Sequence, residues 1–452
     1  MIRTRFAPSP TGYLHLGGVR TALFNWLFAK KNNGIFYLRI DDTDKKRSKE
    51  IFLNDIKENL SKMGMVWYKN EVRQSQNISL HLKATEKLIK NGTAYYCCAS
   101  RTEIDHFQKN NPGKKFISPY RQKSIGKQSD AVLRLKVPLE GSINLQDNIL
   151  GKVSVKNSQI DDLVLVRSDG SPTYIISSAV DDHNMQITDV IRGNDHLTNT
   201  FKQLHIIKAM NWKTPNFAHI PLIMNATGQK LSKRDGNFGL GHYLEQGYLP
   251  DALNNYLLQL GWSYGNEKII SIEQAKQIFS LSAINKSPAR FDVKKLKNIN
   301  QAYLKKTNDT ELYAILRDKL ELNDIVLQER IKKAIPLIKE RGKTILEIIK
   351  LGKMYITLEN SIDKIATETL QEEGLEILNN LYKKLQICEN WDADSIKNTC
   401  QNFSNQSNFD TTLIMKTLRA AIFGTFQSPP LFKSMEVIGK DEVLKRISCI
   451  PL

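Results

Sequence analysis

No run of some 18 or more apolar residues interrupts the 452-residue chain, so no membrane-spanning helix is expected. Cysteine is scarce: Cys97, Cys98, Cys388, Cys400 and Cys449 are odd in number, and the first two are adjacent. They suggest no disulfide framework, which fits a reducing compartment. The opening Met1-Ile-Arg-Thr-Arg-Phe lacks the apolar core of a secretory signal and runs into strand-like sequence, so a cytoplasmic protein is expected. Internal repeats and low-complexity tracts are missing. So are G-x-G-x-x-G and G-x-x-x-x-G-K, which excludes a dinucleotide fingerprint and a P-loop.

What is present is a chain too long for one core, with two to four domains expected. Lys and Arg outnumber Asp and Glu by 65 to 47, a net charge of +18. That balance favours a polyanionic partner, nucleic acid being the usual one, although a lysine-rich composition would give the same excess. Ile2–Ala7 reads as a strand. Val19, Ala22, Leu23, Trp26 and Leu27 recur at helical spacing, Asn32-Asn33-Gly34 ends that helix, and Ile35–Ile40 is an apolar run suited to a buried parallel strand. A second amphipathic helix carries Leu53, Ile56, Leu60 and Met63 on one side. This is the opening of a doubly wound α/β domain.

From about Asn70 the pattern shifts to turn signals, a basic polar stretch over 109–127 and an alternating strand at Val132–Val137, as in an inserted α+β module. Asp169-Gly170 turns the chain back, and Thr173–Val180 reads as a return to the main sheet. Leu320–Met354 and Leu370–Leu385 have helical periodicity, so the last third is expected to be helical.

Two motifs carry chemistry. Pro8-Ser-Pro-Thr-Gly-Tyr-Leu-His-Leu-Gly-Gly18 lies between the first strand and the first helix, where doubly wound folds bind ligands. Gly12, Gly17 and Gly18 permit close approach to the backbone, the helix start offers free N–H groups, and His15 can donate to a phosphate. A lone histidine there would equally serve as a helix cap. Lys230-Leu-Ser-Lys-Arg234, flanked by glycines, can fold over a triphosphate and neutralise developing charge. By itself it is no more than a solvated basic loop.

In order and spacing the motifs resemble those of bacterial glutamyl-tRNA synthetases, class I enzymes. Arg5–Trp26 is similar to their signature and contains their form of the "HIGH" motif. Lys230–Arg234 resembles the "KMSKS" loop, while Leu38-Arg-Ile-Asp-Asp-Thr-Asp44 and Val180-Asp-Asp-His with Asp189-Val-Ile-Arg-Gly-Asn-Asp195 match between them. The resemblance implies a split Rossmann-like catalytic domain at 1–69 and 166–225 and an acceptor-stem-binding insertion at 70–165. A linker and stem-contact region at 226–305 and a helical anticodon-binding domain at 306–452 follow. That last region sets the chain apart from truncated relatives that glutamylate a base within tRNA.

By the same resemblance His15, Lys230 and Lys233 stabilise the transferring phosphoryl group, and Pro8, Gly17, Gly18, Asp195 and Lys233 bind ATP, which brings Mg²⁺. Arg5, Ser9, Asp41, Tyr174 and Arg192 bind L-glutamate. Asp41 is expected to take the α-ammonium, and Arg192, with Arg5 and Tyr174, the side-chain carboxylate. A guanidinium fork suits a carboxylate. Glutaminyl-tRNA synthetases lack an arginine at the position of Arg192, since an amide would leave it unpaired. The chain departs from the family pattern in three places. Asp41 stands where glutamyl members carry Glu, and Ser178 where many have Asn. Ala99 and Ser124 occupy two positions that hold zinc ligands elsewhere, so with Cys97 alone retained no structural zinc is expected. The implied partners are tRNA(Glu), with tRNA(Gln) left open, acting on a monomer.

Overall fold

The computed structural model describes residues 1–112, 115–123, 126, 128–231, 239–265, 269–357 and 362–450. The chain divides into two compact units, residues 1–244 with 253–293, and residues 245–252 with 294–452.

The first unit opens as the sequence leads one to expect. Strand β1 (Arg3–Phe6), helix α1 (Leu16–Lys31), strand β2 (Ile35–Ile40), helix α2 (Glu50–Lys62) and the short strand β3 (Val72–Arg73) follow in order. β1 lies parallel to β2, with Arg3 opposite Ile35 and Phe6 opposite Leu38, and β2 lies parallel to β3. α1 is buried on most sides, by Leu16, Val19, Ala22, Leu23, Phe24, Trp26 and Leu27, as a helix packed in the middle of a layered domain must be.

The segment that reads as an insertion serves two sheets. Helix α3 (Ile78–Lys90), strand β4 (Ala94–Cys97) and helix α4 (Arg101–Asn110) lead to strand β5 (Val132–Leu135), strands β6 (Ser142–Asp147) and β7 (Gly151–Lys156), and strand β8 (Leu163–Val166). β4, β5 and β8 form a small antiparallel sheet. β6 and β7 form a hairpin that joins the main fold instead.

Next come helix α5 (Tyr174–Asn184), strand β9 (Asp189–Gly193), helix α6 (Leu197–Ala209) and strand β10 (Asn216–Ile220). β9 and β10 are parallel, and β6 pairs parallel to β10 through Asp147 opposite Phe217, giving the order β7-β6-β10-β9. Thr188, just before β9, donates its N–H to the Arg3 carbonyl and receives the Arg3 N–H on its hydroxyl. The two parallel groups therefore meet along β1 and β9, where the winding changes direction. Such a switch point is where open α/β sheets bind ligands.

Thr173–Val180 corrects the strand expectation, because it begins a helix. Thr173 holds the extended N-cap conformation, and from Tyr174 the buried residues Ile176, Ala179 and Val180 follow at helical spacing. Ser178 and Asp182, four residues apart, share one face, an arrangement no strand provides.

The second unit is helical, with helices from Val293–Lys306 to Lys440–Ser448 around Leu316, Ile335, Leu378, Leu381, Ile414, Leu418 and Ile447. The periodic run Leu320–Met354 resolves into the helices Ile325–Lys339 and Ile345–Lys353. Asp324 and Thr344 cap each start by accepting the N–H three residues on.

Candidate active site

A cleft of about 500 Å³ opens where β1 and β9 end. Arg5, Pro8, Ser9, His15, Gly17, Gly18, Asp41, Tyr174, Arg192, Asp195 and Lys230 all line it. Residues scattered over 225 positions of sequence thus share one cavity. Lys233 lies outside the described residues, as does Ser124 of the zinc comparison. Cys97 lies beside the Ser118 hydroxyl, 3.3 Å away, and Cys98 beside Gln128.

One side of the cleft is built on the start of α1. His15 is its N-cap, and its Nδ1 accepts the Gly18 N–H at 3.2 Å. The two readings of this histidine therefore coincide: Nδ1 caps the helix, which leaves Nε2 to carry the proton in the neutral ring and to donate. The glycines make that posture possible. A Cβ at Gly17 would stand 3.1 Å from the His15 ring, and one at Gly18 3.0 Å from Leu14. Buried Arg20 anchors the helix by donating to the carbonyls of Leu260 (2.7 Å) and Pro221. Downstream of the second motif, Gly239 bridges to His15, and the Leu240 N–H reaches the Leu14 carbonyl at 2.9 Å. Lys230 sits opposite Asp195 at 2.8 Å, both half-exposed. Desolvation works against ionisation of Asp195, yet the Lys230 hydrogen bond and neighbouring charge hold its carboxyl below the ordinary range.

The other side holds buried charge in two different arrangements. Around β1 and β2 the charges close on one another. Arg5 grips Asp182 through Nε (2.9 Å) and Nη2 (3.3 Å). Arg39 reaches the same carboxylate at 2.6 Å and clasps Asp41 with Nε at 2.7 Å and Nη2 at 3.3 Å. Ser178, in the Asn position of the family, accepts from Arg39 at 3.2 Å. Burial opposes ionisation of Asp182, but Arg5, Arg39 and Arg192 overcome it and bring the carboxyl down to about 2. Two cations thus face two carboxylates. Both oxygens of Asp41 are already engaged by Arg39, although each keeps a second lone pair.

Arg192, at the end of β9, has no such partner. Its Nη2 donates to Thr200 (2.7 Å) and to Gln203 Oε1 (2.6 Å), and its Nη1 lies 3.4 Å from the Tyr174 hydroxyl. All three are neutral oxygens. Arg192 is 6% exposed, its Nε is buried without a partner, and among the described residues no carboxylate forms an ion pair with it. Desolvation lowers its pKa from the ordinary value. Burial and the Arg192 charge also push neighbouring His196 down to about 4, so that ring is neutral. The fork expected to grip a carboxylate at both prongs has Nη2 committed to the protein, and Arg192 and Tyr174 both line the cleft.

Sequence reasoning assigned no role to Asp182, Arg39, Thr200 or Gln203. Arg39, an arginine inside an apolar strand, and the Asp181-Asp182 pair were visible signals. Thr200 and Gln203 offered none.

Residues 1–298 match the family of class I tRNA synthetases (E and Q), catalytic domain, and residues 291–450 match an anticodon-binding domain. Among curated proteins, the chain is 41% identical to glutamate–tRNA ligase 2 of Rhodospirillum rubrum, over 98% of each chain. It is 40% identical to glutamate–tRNA ligase 1 of Bartonella henselae, over 98% of this chain and 96% of the other. A crystal structure of a glutamate tRNA ligase from Elizabethkingia meningosepticum, in complex with its amino acid, superposes with a TM-score of 0.86 at 33% identity and covers 99% of both chains. The chain belongs to the class I tRNA synthetases of the glutamate and glutamine group, with that catalytic domain followed by an anticodon-binding domain.

Proposed function

We propose that this chain is a glutamate–tRNA ligase. It joins L-glutamate to ATP as glutamyl-adenylate and transfers the glutamyl group to the 3′ end of tRNA(Glu). The observation that carries the amino-acid assignment is Arg192, a buried cation held only by neutral oxygens. A buried charge with no carboxylate in contact is costly, and the side-chain carboxylate of glutamate would supply that contact. Glutamine would bring no charge, which supports glutamate over its amide.

In the first step an oxygen of the glutamate α-carboxylate attacks the α-phosphorus of ATP, and pyrophosphate leaves. In the second a ribose hydroxyl of the terminal adenosine attacks the acyl carbon, and AMP leaves. Positioning and charge neutralisation are sufficient, with no strong base needed. In this reading Arg192, Arg5 and Tyr174 hold the side-chain carboxylate, Asp41 takes the α-ammonium through its remaining lone pairs, and Ser9 lies beside them. His15, Lys230 and Lys233 receive charge from the phosphoryl group, Gly17, Gly18 and Pro8 admit the nucleotide, and Asp195 binds its ribose. Among the described residues no group of three or more His, Cys, Asp or Glu side chains forms a cage for a cation. Magnesium would accompany ATP, neutralising charge on its phosphates, and no protein residue is assigned to it. The segment 70–165 would grip the acceptor end and the helical unit would read the anticodon, on a monomer working in the cytoplasm, where tRNA is charged.

Charging assays with labelled glutamate and glutamine on purified tRNA(Glu) and tRNA(Gln) test this. Glutamate on tRNA(Glu) is expected. No glutamate on either tRNA would refute the enzyme reading, and charging of tRNA(Gln) alone would reassign the partner.

A further inference from the structure

Behind Arg192, outside the lining of the cleft, three buried side chains continue its hydrogen bonds. Thr200 Oγ1 lies 2.7 Å from His219 Nε2, and His219 Nδ1 lies 2.6 Å from Asp147 Oδ2. Thr200 and His219 are fully buried, and Asp147 is 2% exposed. They come from α6, β10 and the end of β6.

The direction of each bond follows from the far end. Asp147 Oδ1 accepts the N–H groups of Ile149 (2.9 Å) and Leu150 (2.8 Å), and Oδ2 accepts the His219 N–H at 3.1 Å. Burial opposes its ionisation, but the His219 hydrogen bond and these N–H groups outweigh burial and hold the carboxyl below its ordinary range. A carboxylate only accepts, so His219 Nδ1 carries a proton. Burial lowers the His219 pKa; the Asp147 hydrogen bond opposes this and the Arg192 charge adds to it, and the net shift is downward, so the ring is neutral and Nε2 is a bare acceptor. The Thr200 hydroxyl hydrogen then goes to Nε2 at 2.7 Å in preference to the His196 carbonyl at 3.3 Å. Its lone pairs are left to Arg192.

We infer that Thr200, His219 and Asp147 are positioning residues for Arg192: the ordered chain makes Thr200 an obligate acceptor that orients the guanidinium while leaving its charge for the substrate. A carboxylate in place of Thr200 would orient the arginine equally well, and would also neutralise it. The chain places that carboxylate three hydrogen bonds away instead, where it sets direction without cancelling charge beside the ligand. The inference rests on Arg192 as the partner of the glutamate side chain.

The test compares KM for glutamate and for ATP in pyrophosphate exchange with tRNA(Glu) present. Thr200→Val is expected to raise KM for glutamate about ten-fold and to lower the preference for glutamate over glutamine. KM for ATP should stay within about two-fold, and Thr200→Ser should restore wild-type values, a split that a general loss of structure would not give. If Arg192→Ala raises KM for glutamate and Thr200→Val does not, the chain has no positioning role. If Arg192→Ala itself leaves KM for glutamate unchanged, the underlying reading fails instead. A readout free of substitutions comes from ¹⁵N-histidine NMR of the full chain. A neutral His219 protonated at Nδ1 at pH 7 is expected, and protonation at Nε2 would overturn the inference.

Discussion

Arg5 and Arg192 line the same cleft, both nearly inaccessible to water, and the protein treats them in opposite ways. Arg5 belongs to a closed set in which two arginines face Asp41 and Asp182. Arg192 is oriented by Thr200 and Gln203 and neutralised by neither. The first arrangement is already charge-balanced, so a ligand there meets groups that hold one another in place. The second has no carboxylate in contact among the described residues, and this difference, more than the presence of arginine, distinguishes the two cations.

Opposing outcomes are expected when each side is broken. Asp182→Ala leaves Arg5 and Arg39 sharing one carboxylate, and urea unfolding should show a loss of about 3–5 kcal/mol. A loss below about 1 kcal/mol would mean the closed set is not structural. Arg192→Met should reduce kcat/KM for glutamate roughly 10²–10³-fold. Its unfolding free energy should stay within about 1 kcal/mol of the parent, because relief of charge burial offsets the acceptors left on Thr200 and Gln203. A stability loss as large as that of Asp182→Ala would erase the distinction between the two sides.

Acid sharpens the same contrast. Asp182 titrates near 2 in the fold against an ordinary 3.8. Its contribution, about 2 kcal/mol, is complete above pH 4 and fades as pH falls from 4 to 2, the sign of a depressed carboxyl. In Asp182→Asn that part of the acid slope should be missing. The smallest effect concerns the half-exposed pair Lys230–Asp195. Asp195→Asn should change stability by less than about 0.5 kcal/mol, as for other solvated ion pairs. KM for ATP should nevertheless rise several-fold and KM for glutamate should not, if Asp195 contacts the ribose.

The parts of the site that lie on short local strings were legible in the sequence. Strand, glycine turn and helix start are encoded within Arg3–Lys31, and a histidine that caps the helix needs only its next three residues. The support of Arg192 was not legible, because Thr200, His219 and Asp147 come from three separate elements and meet only through strand pairing and packing. The Asp181-Asp182 pair was visible, but where Asp182 would point was not, for another reason. Thr173, Tyr174, Ile175 and Ile176 are strand formers by propensity, and only the tertiary fold, which turns Ser178 and Asp182 together toward Arg39, selects a helix there. The break between helices at Leu320–Met354 was encoded in Asp324 and Thr344, capping signals that a search for apolar periodicity passes over.

The hairpin of β6 and β7 has a consequence for how this protein can be taken apart. Since β3 pairs with β2 and β6 with β10, deleting 70–165 as a unit would strip β3, β6 and β7 from the two parallel groups, bare the edges of β2 and β10 and remove Asp147 from beneath His219. A fragment meant to keep the sheets of the first unit must therefore retain 72–73 and 142–156. The segment is woven into the first unit rather than hung upon it.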